Sequence, residues 1–149
     1  MAHRSGFVCL AGQPNVGKST LLNRLVGQHI SATADKPQTT RNRILGVRHG
    51  EGFQVVFIDT PGIHAARDAF SSRLVAYAQD ALKDVDLVLA LVAPPFPPRQ
   101  TEEAAAAERA VFNDVRAVGA PVLLLMNKVD LVPEGAILEG IAGYAAQGL

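Results

Sequence analysis

The run Gly12-Gln13-Pro14-Asn15-Val16-Gly17-Lys18-Ser19-Thr20 fits the pattern G-x-x-x-x-G-K-[ST], a loop whose backbone N–H groups cradle phosphates. The apolar run Gly6-Phe7-Val8-Cys9-Leu10-Ala11 lies just before it and reads as a buried strand. After it, Leu21, Leu22, Leu25 and Val26 recur on one helical face. Strand, glycine loop and helix N-terminus bring several donors and a positive dipole end to one point. That point suits the terminal phosphates of a nucleotide.

The base is read elsewhere. Asn127-Lys128-Val129-Asp130 follows the apolar run Pro121-Val122-Leu123-Leu124-Leu125-Met126, at the C-terminal end of a buried strand, where open α/β sheets bind ligands. A carboxylate at Asp130 can accept from the N1–H and exocyclic amine of guanine, a donor pair that adenine lacks. The Asn127 amide can support the base and tie this loop to the phosphate loop. The aliphatic stem of Lys128 can lie over the purine. A site built for hydrogen bonding rejects a base that leaves its polar groups unpaired.

Asp59-Thr60-Pro61-Gly62 ends Phe53-Gln54-Val55-Val56-Phe57-Ile58, a strand rich in β-branched and aromatic residues. An aspartate there can hold Mg²⁺ through a water, since that ion takes few protein ligands beside phosphates and waters. Gly62 can bring its N–H against a γ-phosphate because no Cβ blocks the approach.

These three motifs in this order look like a translation-factor-type small GTPase. The segment Lys36-Pro37-Gln38-Thr39-Thr40-Arg41-Asn42-Arg43-Ile44-Leu45-Gly46-Val47, with Asp59-Thr60-Pro61-Gly62-Ile63-His64, resembles the Era GTPase family: bacterial ribosome-assembly factors with a GTPase domain and a C-terminal KH domain. The Der and MnmE families are the nearest alternatives. The resemblance implies that Lys18 contacts the β- and γ-phosphates and that Ser19 ligates Mg²⁺. Thr40, with Thr39 as rival, completes the Mg²⁺ shell. Asp59 and Gly62 sense metal and γ-phosphate. Lys18, Thr40 and Gly62 are thus the expected catalytic groups. The GTP contacts run through residues 12–20, Asp59 to Ile63 and Asn127 to Asp130. Asn15 matches an asparagine that helps coordinate K⁺ in potassium-activated relatives.

Further implied partners are GTP and GDP, the small ribosomal subunit and 16S rRNA, the last mainly through the KH domain. The implied location is cytoplasmic, with room for a peripheral association with the inner membrane. Ile63 stands where Ras-like enzymes carry a water-orienting glutamine, so intrinsic hydrolysis should be no faster than the slow, unassisted regime of roughly 10⁻⁴ to 10⁻² per second. His64 reads as a surface residue rather than a general base. A nucleotide-dependent binding module without turnover is the alternative function.

Composition is that of a single domain. Of 149 residues 48% are hydrophobic, enough for one core. Net charge is zero, which argues against broad electrostatic binding of nucleic acid. Lys36, Arg41, Arg43 and Arg48 read as a solvated face. Cys9 is a lone, buried thiol. Neither a signal peptide nor a membrane-spanning run is recognisable.

The elements that must position these residues alternate. Strands are expected near 6–11, 43–49, 53–58, 85–92 and 121–126, and helices near 18–27, 68–83, 102–117 and 134–146. The fold class is α/β: a P-loop NTPase with a doubly wound, mostly parallel sheet and helices on both faces. The strand at 43–49 pairs as an antiparallel hairpin across Gly50-Glu51-Gly52. Residues 28–42 and 61–70 are the expected switch loops, ordered by γ-phosphate and Mg²⁺. Pro94-Pro95-Phe96-Pro97-Pro98 reads as a rigid loop rather than a polyproline ligand, before a helix that Thr101 caps. Glycines at 135, 140 and 143 should weaken the last helix. By resemblance, residues 1–149 are a GTP-binding domain lacking its last strand and helix, without the KH domain.

Overall fold

The computed structural model describes residues 3–27, 43–59 and 85–149, with the side chains of Arg43 and Asp59 outside the description. The expected helix at 68–83, both switch loops, Lys36, Arg41 and the candidates Thr39, Thr40, Thr60, Pro61, Gly62, Ile63 and His64 lie outside these residues.

The described elements are β1 (Arg4–Gly12), α1 (Lys18–Val26), β2 (Arg43–Gly50), β3 (Phe53–Asp59), β4 (Leu87–Val92), α2 (Glu102–Ala117), β5 (Val122–Met126) and α3 (Glu134–Ala146). One 3₁₀ turn, Val129–Leu131, was not foreseen. The sheet order is β2-β3-β1-β4-β5. β3, β1, β4 and β5 run parallel. β2 pairs antiparallel to β3, as the hairpin reading required.

Strand alternation sorts β1 onto two cores. Cys9 and Ala11 join Ile58, Val85, Val88 and the α2 residues Val111 and Val115 on one face. Val8 and Leu10 join Val16, Leu22, Phe57, Leu89 and Leu91 on the other, under α1. The central strand is therefore apolar on both sides, as a sheet covered twice demands. A third cluster, Ala90, Val92, Phe96, Phe112 and Tyr144, continues the α2 face toward α3. Phe112 and Phe96 meet Tyr144 edge-on, with ring centroids 6.0 and 6.4 Å away.

The proline segment packs into this core. Phe96 is 2% exposed, and Arg99 N bonds its carbonyl at 2.9 Å. The glycines of α3, expected only to weaken the helix, are what let it seat. A Cβ at Gly140 would stand 2.7 Å from Phe96 Cβ and 2.8 Å from Met126 Cε, and one at Gly143 2.7 Å from Pro97 Cβ. Gly135 faces open space, so there the helix cost alone remains. Thr101 caps α2 as expected, its Oγ1 accepting from Ala104 N at 3.2 Å. Among the described residues no helix is long and apolar enough to cross a membrane.

Candidate functional site: a phosphate loop tied to a base-reading loop

β1 ends at Gly12, whose φ of +148° and close approach to Leu91 leave no room for a side chain: a Cβ would lie 2.5 Å from the Leu91 carbonyl oxygen. The chain then turns through Gln13 to Gly17 into α1. Asn15 takes a left-handed φ of 65°, which asparagine tolerates better than most residues. Gly17, at the N-cap of α1, has φ +103° and offers no side chain to the helix donors. α2 hands its first-turn donors to Thr101, whereas α1 leaves its own facing the loop. An uncapped N-terminus beneath a glycine loop presents N–H groups and a positive end to an anion.

Lys18 folds over this loop. Its Nζ donates to the carbonyl oxygens of Gly12 and Gln13, both at 2.7 Å. The ammonium is therefore held at the mouth of the loop. Ser19 and Thr20, in the first turn of α1, are exposed. Val16 turns the other way, into the core. β3 runs beside β1 with Ile58 opposite Cys9, so Asp59, one residue on, ends its strand beside the segment that feeds the loop.

β5 delivers the second loop. Met126 pairs with Val92, and Asn127 N continues the ladder to the Val92 carbonyl at 2.8 Å. Here Asn127 and the phosphate loop meet. Its Nδ2 donates to Val16 O at 2.8 Å. Gly17 must be glycine for this contact too, because a Cβ there would overlap the same amide. Lys128, at a left-handed φ of 56°, sends Nζ to Asn15 O at 2.5 Å. Its stem thus spans from one loop to the other. Val129 and Asp130 form the 3₁₀ turn, with Asp130 exposed at its start.

The structure thus gathers Gly12 to Thr20 with Asn127 and Lys128, and sets Asp59 and Asp130 at the ends of β3 and β5. Two contacts went unforeseen in the sequence: the Lys128–Asn15 bond and the reach of Gln13 Nε2 to Ala104 O at 3.4 Å. No residue spacing encodes either, since both join a side chain to a distant carbonyl. Among the described residues no cluster of three His, Cys, Asp or Glu could hold a metal by itself. A site made of one hydroxyl and one carboxylate fits an ion that keeps phosphates and waters as its other ligands.

The family model described as 50S ribosome-binding GTPase matches residues 7–128. The chain belongs to that GTPase family. Within it, the chain is similar to the protein named GTPase Era of Geobacter metallireducens, 51% identical over 141 residues that cover 95% of this chain and 45% of that protein. Two solved structures are also similar. A point variant of Aquifex aeolicus Era bound to GDP and AlF₄⁻ has a TM-score of 0.66 and 31% identity, with 96% of this chain and 47% of that one covered. Era in complex with MgGDPNP and part of 16S ribosomal RNA has a TM-score of 0.68 and 32% identity, with 97% and 48% covered. The chain spans about half the length of the curated relatives it matches. The resemblance read from P-Q-T-T-R and D-T-P-G-I-H is borne out, as is the P-loop GTPase fold of this family member.

Proposed function

We propose that this chain is the nucleotide-binding domain of an Era-type GTPase: it binds GTP and GDP with Mg²⁺, hydrolyses GTP slowly, and acts as a switch in ribosome assembly. One observation carries the reading. The Asn127 amide grips Val16 O at 2.8 Å, so the loop suited to guanine and the loop suited to phosphates form one continuous surface. Neither motif alone distinguishes a nucleotide from a stray anion.

In this reading the backbone N–H groups of residues 15–18 and the α1 N-terminus bind the β-phosphate. Lys18 exchanges its two loop carbonyls for phosphate oxygens. Ser19 and Asp59, with Thr40, hold Mg²⁺, which neutralises phosphate charge when bound. Asn15 is the candidate K⁺ ligand. Asp130 reads guanine while the Lys128 stem supports the ring. Gly62 senses the γ-phosphate, and Ile63 leaves the attacking water without a polar neighbour from that position. The likeness to an Era protein carrying 16S ribosomal RNA supports that rRNA, within the small subunit, as the macromolecular partner. The location proposed is the cytoplasm, with peripheral membrane association open to the same protein.

A calorimetric titration with GDP, and with ADP as control, tests the core of this reading. Selective GDP binding that Asp130→Ala abolishes is the expected result, and equal binding of both nucleotides refutes it. Phosphate release from GTP in K⁺ and in Na⁺ buffers tests turnover and the Asn15 role. Equal rates in the two buffers remove K⁺ from the proposal.

A further inference from the structure

α2 buries a carboxylate that the nucleotide site does not use. Glu108 is 7% exposed, the one charged residue among the buried described positions. Its Oε1 accepts from Gln100 Nε2 at 2.9 Å and its Oε2 from Tyr144 Oη at 3.1 Å. Both donors are neutral. Arg99 of the loop and Glu139 of α3 are exposed and pair with each other at 2.8 Å. Glu134 is exposed at the far end of α3, and β4 and β5 contribute no charged residue. On α2 itself Arg109, the next residue, pairs with Glu102 at 2.6 Å. Among the described residues, Tyr144 is thus the titratable group that faces Glu108 from a packed element. Burial raises the Glu108 carboxyl above the usual carboxylate range, against the lowering effect of its two hydrogen bonds.

The two donors come from the two segments that dock on α2. Gln100 ends the proline segment. Tyr144 lies in the last turn of α3 and is 1% exposed. It sits in the cluster that also takes up Met126 and Val132, and those two residues bracket Asn127 to Asp130. We propose that Glu108 is a positioning residue for the base-reading loop: by clamping Tyr144 and Gln100 it fixes α3 against α2, and through Met126 and Val132 it fixes the loop that selects guanine. Removing the carboxylate takes from Gln100 Nε2 and Tyr144 Oη the acceptor that joins them, and a buried donor left unpaired loosens the contact it anchored.

This rests on the reading of residues 127–130 as the base loop, and the test separates the two. The ratio of GDP to ADP affinity is measured at one fixed pH for the wild-type chain, Glu108→Gln and Glu108→Ala, with pyrophosphate as a probe of the phosphate loop alone. A wild-type ratio near one refutes the guanine reading itself. Given selectivity in the wild type, Glu108→Ala should lower the ratio about tenfold, the equivalent of one buried hydrogen bond, with pyrophosphate affinity unchanged. Glu108→Gln keeps an acceptor for Gln100 and a partner for Tyr144 and should restore the wild-type ratio. A Glu108→Ala ratio equal to the wild-type one overturns the proposal. So does a pyrophosphate affinity that falls in step with GDP affinity in Glu108→Ala, which would mark a global loss of structure. Should Glu108→Ala not fold, Tyr144→Phe is measured in its place, and an unchanged ratio overturns the proposal.

Discussion

Gly17 and Asn127 should behave as one unit. Gly17 sits at φ +103°, and a Cβ there would overlap Asn127 Nδ2, which donates to Val16 O at 2.8 Å. An alanine at 17 carries about 1–3 kcal/mol of backbone strain. It also displaces the amide and leaves a half-buried acceptor unpaired, a further loss of about 1–3 kcal/mol. Gly17→Ala is therefore expected to cost about 2–6 kcal/mol in all. Asn127→Ala alone should cost about 1–3 kcal/mol. Independent effects would sum to about 3–9 kcal/mol. The hydrogen bond can be lost only once, however. The double variant should stay near about 2–6 kcal/mol, with a coupling of about 1–3 kcal/mol between the sites. Urea denaturation of the wild type, both single variants and the double variant gives the four free energies. Additivity within about 0.5 kcal/mol would show that the Asn127 amide is not held where Gly17 leaves room for it. GDP titration of the same four proteins should show the same sub-additive pattern, since the tether is also the joint between the two halves of the proposed site.

Other perturbations follow from the same packing. Burial lifts the folded Glu108 carboxyl above its unfolded value, so between those two values the folded chain holds a proton the unfolded chain lacks. Stability should then fall as pH rises through that window, and Glu108→Gln should flatten the fall in a series of thermal melts. Tyr144→Phe removes one donor from the same carboxylate and should cost about 1–3 kcal/mol, seen as a drop of several degrees in Tm. Gly140→Ala gains helix propensity of about 1 kcal/mol but meets Phe96 and Met126 below 3 Å. It should destabilise by about 1–3 kcal/mol, whereas Gly135→Ala, in open space, should be neutral or stabilising by up to about 1 kcal/mol. Thr101→Ala should cost about 1 kcal/mol through its lost cap, without altering GDP affinity.

Most strands were legible because they are runs of apolar residues bounded by glycine, proline or charge. β1 and β4 bury both faces and so read as unbroken hydrophobic stretches. The antiparallel β2 was marked by Gly50-Glu51-Gly52, a turn too short for a crossover. The 3₁₀ turn at Val129–Leu131 was not, because three residues carry no periodicity. The packing role of the α3 glycines was hidden for a related reason. Propensity is a local quantity, and the space they vacate for Phe96 and Pro97 belongs to tertiary packing. Glu108 shows the reverse. It stands on the stripe Ala104, Glu108, Val111, Val115, so its burial could have been read from helical spacing, yet its partners Gln100 and Tyr144 could not. In the site, the motif strings located Asn127 and Lys128. The choice of Val16 and Asn15 as their acceptors is set by how β1 and β5 are placed in the sheet.

That placement has a metric consequence. β1 and β5 are not neighbours; β4 lies between them. Two strand spacings, about 10 Å, therefore separate the strand that feeds the proposed phosphate loop from the one that feeds the proposed base loop. The sheet acts as a ruler. A free base or a free phosphate is too short to reach both marks, and each would bind with only its own modest affinity. A ligand that spans the gap turns its second contact into an intramolecular event at high effective concentration. Length itself becomes a criterion of recognition, enforced by backbone hydrogen bonds that no side-chain substitution can shorten.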